Sequence, residues 1–343
     1  MAQPTLRMPR TPATRKDVAE RAGVSTAVVS YVINSGPRPV AAKTRQRVLD
    51  AIQVLGYRPN AAARALKLRS TEMIGLVTPD NSNPLFAELS RAIEEAAYDL
   101  GYALLLTNSN GNPALEKKQL GNLAARQVDG LVLVSENPSP DLSDLLDASV
   151  PVILLNRAEG IDGVSSIGVD FRGAARAGVE HLIGHGHTSI GLVVGPDGVG
   201  SSREREEGWR EALRSAGLPE GPIARIEFTR EGGYEAGQRL LTTANAPSAI
   251  FASSDLQAVG VLRAIHEAGL AVPGDVAVLS FDGSPESEFT WPPLTVVQQP
   301  VRSMARDAVA ALTAKPQLAP AHHVTYQAEL VIRASCGCVP ERP

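Results

Sequence analysis

Between Val24 and Gly36 the chain reads VSTAVVSYVINSG. Its polar positions, Thr26, Ser30, Tyr31 and Asn34, join Ala27 in a set of small groups, hydroxyls, a phenol and an amide, with no lysine or glutamate among them. Ordinary solvated helix faces are rich in those charged residues. A face without them can approach another surface closely and hydrogen-bond to it. At about 100° per residue, Val28, Val29, Val32 and Ile33 fall on the opposite arc. The stretch therefore reads as a short amphipathic helix with Ser25 as its N-cap.

Two further helices are needed to hold that face. Upstream, TRKDVAERAG offers Thr14 as N-cap and Asp17 three residues later, a capping-box arrangement. Val18 and Ala22 supply its inward face, and Gly23 sits where a left-handed residue ends a helix. Two short helices joined by a glycine turn form a helix-turn-helix, whose second helix enters the DNA major groove. Downstream, KTRQRVLDAIQVLG gives a third helix with Val48, Leu49, Ile52 and Leu55 inward and Gly56 at its end. The half-polar helix is thus expected to read DNA.

Charge supports this independently. Residues 1–70 carry 13 Lys+Arg against Asp17, Glu20 and Asp50, a balance of +10. The net charge of the whole chain is −4, so the remainder holds −14. A basic head attracts phosphate, and an acidic body stays off the duplex. The 343 residues leave room for a large body beyond the head. No run of 18 apolar residues occurs, and the N-terminus has no apolar signal region, so a soluble, cytoplasmic protein without membrane contact is expected. Residues 1–13, with three prolines, read as a flexible tail.

From residue 73 apolar runs alternate with helical stretches. The runs are MIGLV, ALLLT, GLVLV and PVILL, then SSIGV, SIGLVV, PIARIEF, SAIFAS and VAVLSF. Continuous apolar strands between helices indicate parallel sheets covered on both faces. Two series indicate two doubly wound lobes, with ligands bound at the carboxyl ends of their strands and the cleft between lobes as the default pocket.

Chemistry of other kinds finds little support. GPDGVG at 195–200 lacks the lysine and hydroxyl of a phosphate loop and the spacing of a dinucleotide fingerprint, and no G-x-S-x-G elbow occurs. His185 and His187 in GHGHTSIG, and the pair His322–His323, have no neighbouring Cys or Glu at ligand spacing and read as a helix ending rather than metal ligands. Cys336 and Cys338 are too close for a loop-closing disulfide and too few for a zinc site, so they read as reduced thiols. No metal, no cofactor and no catalytic residue is expected.

The segments DVAERAGVSTAVVSYVIN, KTRQRVLDAIQVLGYRPNAAARAL, MIGLVTPDNSNPLFAEL, QVDGLVLV, GVEHLIGHGHTSIGLVVG, REREEGW, FDGSPES and PPLTVVQQP occur in this order. Along almost its whole length the chain resembles the LacI/GalR family of bacterial transcriptional regulators. The resemblance implies an all-α helix-turn-helix head and hinge helix on an α/β body of two doubly wound, periplasmic-binding-protein-like lobes. It divides the chain into a helix-turn-helix domain (14–58) and a hinge (59–71). An N-lobe (72–169 and 301–328) and a C-lobe (170–300 and 329–338) follow. It implies a homodimer, or a tetramer, on pseudo-palindromic double-stranded operator DNA. It also implies a repressor controlled by a small-molecule effector, of which a sugar or sugar derivative such as a sugar phosphate is favoured over a purine or other metabolite.

Carried over by position, base contacts fall on Thr26, Ala27 and Tyr31, and Ser25, Ser30, Asn34 and Thr44 lie near phosphates. Tyr31 stands where many members carry Arg. In YRPNAAARALKLRS, Pro59 cannot sit inside a helix, Asn60 is a good N-cap and AAARAL favours helix. A helix this short is unstable alone, and the resemblance makes it a hinge that forms on DNA. There Leu66 wedges the minor groove, Ala63 allows close approach and Lys67 adds a further contact. The effector pocket implied by resemblance comprises Phe86, Arg157, Ser201, Arg205, Phe228, Ser254, Asp282 and Gln299. Asp282 and Arg205 can hold vicinal hydroxyls or an anionic group, and the two phenylalanines offer flat apolar faces. The competing readings are a free-standing solute-binding protein, which the basic head opposes, and a nucleotide-binding enzyme.

Overall fold

The computed structural model describes residues 13–33, 38–59, 64, 65, 68, 70–157, 160–314 and 321–338. The expectations for Asn34, for the hinge residues Asn60, Ala63, Leu66 and Lys67, and for the tail up to residue 12 lie outside the described residues. The chain divides after Thr71 into two compact units.

The first unit is built on helices α1 (Arg15–Ala22), α2 (Thr26–Ile33) and α3 (Ala42–Leu55). Thr14 and Asp17 form the expected reciprocal capping box, and Gly23 is left-handed at φ 64°. The Thr14 backbone N–H and hydroxyl hold the Asp17 carboxyl below its usual range. Ser25 opens α2, its Oγ accepting the Val28 N–H at 3.4 Å. Val18, Ala19, Ala22, Val29, Val32, Val48 and Ala51 make the core. Leu49, expected inside, is 41% exposed. The inward stripe of α3 runs Val48, Ala51, Ile52, Leu55 at i, i+3, i+4, i+7, which leaves Leu49 one step of about 100° off it.

The second unit contains two six-stranded sheets. In chain order come β1 (Met73–Thr78), α4 (Pro84–Asp99), β2 (Ala103–Asn108), α5 (Pro113–Ala125), β3 (Gly130–Val134), α6 (Ser143–Asp147), β4 (Val152–Leu155) and β5 (Ser165–Val169). Then follow α7 (Phe171–Gly184), β6 (Ile190–Val194), α8 (Gly200–Ser215), β7 (Ile223–Arg225), α9 (Arg230–Leu241), β8 (Ala249–Ala252), α10 (Asp255–Glu267) and β9 (Ala277–Asp282). The chain continues through β10 (Thr295–Gln298), α11 (Val301–Thr313), β11 (His323–Tyr326) and β12 (Glu329–Val331). The N-lobe sheet has the order β11-β5-β4-β3-β1-β2 and the C-lobe sheet β12-β10-β9-β8-β6-β7.

Burial follows sheet position. Every residue of β3, β6, β8 and β9 is buried, because helices cover both faces of central parallel strands. The edge strand β2 alternates toward solvent instead. PIARIEF shrinks to three paired residues in β7, at the other sheet's edge. Strands β10, β11 and β12 add to the apolar runs read from sequence. Of these β12 runs antiparallel to β10, so the C-lobe sheet is not purely parallel. Gly208 on α8 meets α7 so closely that a Cβ there would lie 2.2 Å from the Arg172 carbonyl oxygen.

Candidate functional site

In the head, burial of Val29 and Val32 turns the other arc of α2 outward. Ser25, Thr26 and Ala27 are exposed, and Ser30, Tyr31 and Thr44 are half-buried. Lys43, Arg45 and Arg47 on α3 and Arg58 beyond it are exposed as well. Small hydroxyl-bearing groups at a helix start, with cations on the same small unit, suit contact with base edges and phosphates.

In the body, strand order sets the site. Each sheet reverses direction of construction beside its first strand, between β1 and β3 in the N-lobe and between β6 and β8 in the C-lobe. Crevices open at the carboxyl ends of strands at such points. The segments leaving β1, β3 and β6 supply Asp80, Glu136 and Asp197 to a cleft of about 640 Å³ that Phe86 and Phe228 also line. Deeper in, Phe86, Ser201, Arg205, Phe228, Ser254 and Asp282 come together around one cavity with Glu136 and Asn156.

Its floor is a buried ion pair. Arg205 Nη2 lies 3.2 Å from Asp282 Oδ1, each side chain only 4% exposed. The guanidinium is packed over the rings of Phe171 (4.8 Å) and Phe281 (4.3 Å), so the cation is held by aromatic faces as well as by charge. Gln299 Nε2 donates to the same Asp282 oxygen at 2.9 Å. Burial pushes the Asp282 carboxyl up to about 7, with Arg205 and Gln299 opposing that rise and Asp255 adding to it. Asp255, itself raised to about 6 by burial, accepts from Ser280 Oγ at 2.5 Å and from the Ser284 N–H at 2.6 Å. Asp282 also has φ 114°, a conformation rare outside glycine and found at constrained functional positions.

The other expected pocket residues take different places. Ser254 is the N-cap of α10, its Oγ accepting the Gln257 N–H at 3.3 Å, which leaves its proton to donate elsewhere. Arg157 borders the adjoining recess beside Ser201, with Nη1 on the Asn137 carbonyl at 2.9 Å and Nη2 on the Pro138 carbonyl. Gln299 stands behind Asp282 rather than on the cavity wall. Two buried polar atoms of residues that line the cavity, Asn156 Oδ1 and Arg205 Nε, have no hydrogen-bond partner among the described residues. Buried polar atoms are normally satisfied, so these are places where a ligand gains hydrogen bonds.

The sequence did not single out Glu136, Asn156, Asp80 or Glu227, all of which line the cleft or its deeper cavity. Three of them lie one or two residues beyond the ends of β1, β3 and β4, where the strand-end rule points. Glu136 is held above the usual carboxylate range, first by burial and then by the charge of Glu227.

Residues 14–60 match the model of bacterial regulatory proteins of the lacI family, and residues 179–336 match a periplasmic binding protein-like domain. The chain is 38% identical over 301 residues to the HTH-type transcriptional repressor PurR of Haemophilus influenzae (strain PittEE), covering 87% of this chain and 89% of that one. The lac repressor dimer bound to operator and the anti-inducer ONPF superposes with TM-score 0.84 at 29% identity, covering 95% of this chain and 99% of that one. The complex of the transcriptional regulator CelR with cellobiose has TM-score 0.70 at 32% identity, covering 94% and 99%. A helix-turn-helix with an exposed hydroxyl-rich second helix, on a body of two lobes around a polar cleft, places this chain in the lacI family of DNA-binding bacterial transcription regulators.

Proposed function

We propose that the chain is a repressor that binds operator DNA as a homodimer through α2 and is switched by a neutral, polyhydroxylated ligand of the sugar class in the interlobe cleft. The carrying observation is the charge of that cleft. Asp80, Glu136, Asp197 and Glu227 line it, and its buried cation Arg205 is already paired with Asp282. A phosphate or carboxylate would add a further negative charge beside Glu136, whose carboxyl is already raised by burial and by the charge of Glu227. A neutral polyol adds none, and its hydroxyls both donate and accept. They match the donor Arg205 Nε and the acceptor Asn156 Oδ1.

The ligand can act on DNA only through unequal affinity for two conformations of the body. Phe86, Glu136 and Asn156 belong to the N-lobe, and Arg205, Ser254 and Asp282 to the C-lobe. A ligand touching both sets is bound most tightly when the lobes close, and closure is the movement passed to the head. A planar heterocycle stacked on Phe86 or Phe228 is the second reading, favoured by those flat faces.

The test is a thermal-shift panel of neutral mono- and disaccharides, their phosphates, and planar bases, followed by operator titration with each hit. The expected result is stabilisation by a neutral sugar that also changes operator affinity. Stabilisation by phosphorylated sugars alone overturns the neutral-ligand reading, and stabilisation by bases alone selects the second one.

A further inference from the structure

Far from the cleft, the C-terminal end of α7 meets the segment that follows β12. His181 lies on the last turn of α7, and His185, one helical turn on, is its C-cap. Cys336 and Cys338 come from the other end of the C-lobe sequence. The donor atoms of these four residues all lie within 4.8 Å of one another. His181 Nε2 is 3.3 Å from Cys336 Sγ and 3.7 Å from Cys338 Sγ, and His185 Nε2 is 3.1 Å from Cys338 Sγ. An ion at the centre of a tetrahedron, with metal–sulfur bonds of about 2.3 Å and metal–nitrogen bonds of about 2.05 Å, has N···S edges of about 3.5 Å. The three observed edges bracket that value.

We propose that His181, His185, Cys336 and Cys338 form a Cys2His2 site for a zinc-class divalent cation. Each part of the fold prepares the donors. The i, i+4 spacing puts both imidazoles on one side of α7, with the rings 4.8 Å apart and nearly perpendicular. Gly337, at φ 97°, makes the turn that brings the two sulfurs of the C-x-C segment to one point. Just before it, Ser335 is anchored between β9 and β10, donating to the Val278 carbonyl at 2.6 Å and accepting the Thr295 N–H at 2.8 Å.

Thr295 also reaches the sulfur directly. Its Oγ1 accepts the Arg333 N–H at 2.9 Å, so its proton is turned toward Cys336 Sγ at 3.1 Å. A hydroxyl donating to the sulfur is an outer-shell partner that fixes its position. Two thiolates and two neutral imidazoles fill a four-coordinate shell, which is the character of a structural site rather than a catalytic one. Binding releases the thiol protons and ties the chain's last described segment to α7.

The experiment uses the full-length protein without a polyhistidine tag, reduced, stripped with a chelator and titrated with Co²⁺ and then Zn²⁺. The expected result is one Co²⁺ per chain with a thiolate-to-cobalt charge-transfer band and tetrahedral visible bands, displaced by Zn²⁺ with a rise in melting temperature. Cys338→Ser and His185→Ala act on half-exposed and exposed side chains, so circular dichroism should show both variants folded. Each should weaken Co²⁺ binding by about 100-fold or more, since loss of outer-shell partners alone costs about 10–100-fold. The proposal is overturned by free thiols with no charge-transfer band, by Co²⁺ binding unchanged in Cys338→Ser, or by a Cys336–Cys338 disulfide that persists under reducing conditions.

Discussion

Replacing Arg205 by methionine removes the guanidinium from between Phe171 and Phe281 and leaves Asp282 with the Gln299 amide as its remaining side-chain donor. Breaking a buried ion pair from one side costs about 3–5 kcal/mol, because the other charge is left buried without compensation. Asp282 has an escape that an arginine lacks. Burial already pushes its carboxyl to about 7 while Arg205 pulls it down, so without Arg205 it holds its proton at neutral pH. The unfolded carboxyl, with a pKa of about 3.9, does not. The wild-type carboxyl is protonated below about 7 as well, so the two proteins differ in bound protons only above that value, where the variant alone keeps its proton and its penalty grows with pH by about 1.4 kcal/mol per unit.

Arg205→Met is therefore expected to be destabilised by about 3–5 kcal/mol where wild-type Asp282 is ionised, with a smaller penalty at pH 5 than at pH 8. Asp282→Asn strands a cation that cannot lose its proton and removes the titrating carboxyl, so the variant's own stability should lack this group's pH dependence. The double variant should lie well above the sum of the singles. Urea unfolding followed by the fluorescence of Trp209, fully buried in the C-lobe, measures all three. An Arg205→Met penalty that is equal at pH 5 and pH 8 refutes the reasoning, as does simple additivity in the double variant.

Two expectations concern the head. Operator affinity should fall with salt along a log–log slope of about −5 to −10, since cations from two subunits meet phosphates, and a slope near zero would remove DNA as the partner. Tyr31→Ala should weaken binding to the cognate operator by about 1–3 kcal/mol and leave random DNA almost unaffected. Arg58→Ala should weaken both alike in the same anisotropy titrations. Equal losses for Tyr31→Ala on the two DNAs would take Tyr31 off the reading face.

Local pattern was enough for much of this protein. The capping box at Thr14, the left-handed glycines 23 and 56, and the inward Val29 and Val32 follow from rules that span one or two helical turns, and the structure contains all of them. The apolar run of β3 announces a strand covered on both faces because burial on two sides removes the alternation that one wet face imposes. The resemblance then located Phe86, Arg205, Ser254 and Asp282, which the fold does bring together.

Tertiary structure decided the rest. Leu49 and Ala51 exchanged places because the inward stripe of α3 depends on what α1 and α2 present to it. Glu136 owes its raised carboxyl first to burial and then to Glu227, which the opposite lobe brings to it across the cleft. His181 and Cys336 stand 155 positions apart and approach to 3.3 Å only after the C-lobe sheet takes its last, antiparallel strand. Periodicity reports which face of an element is buried. It carries no information on which distant element covers that face, because that pairing is fixed by chain closure over more than a hundred residues and by packing of the whole lobe.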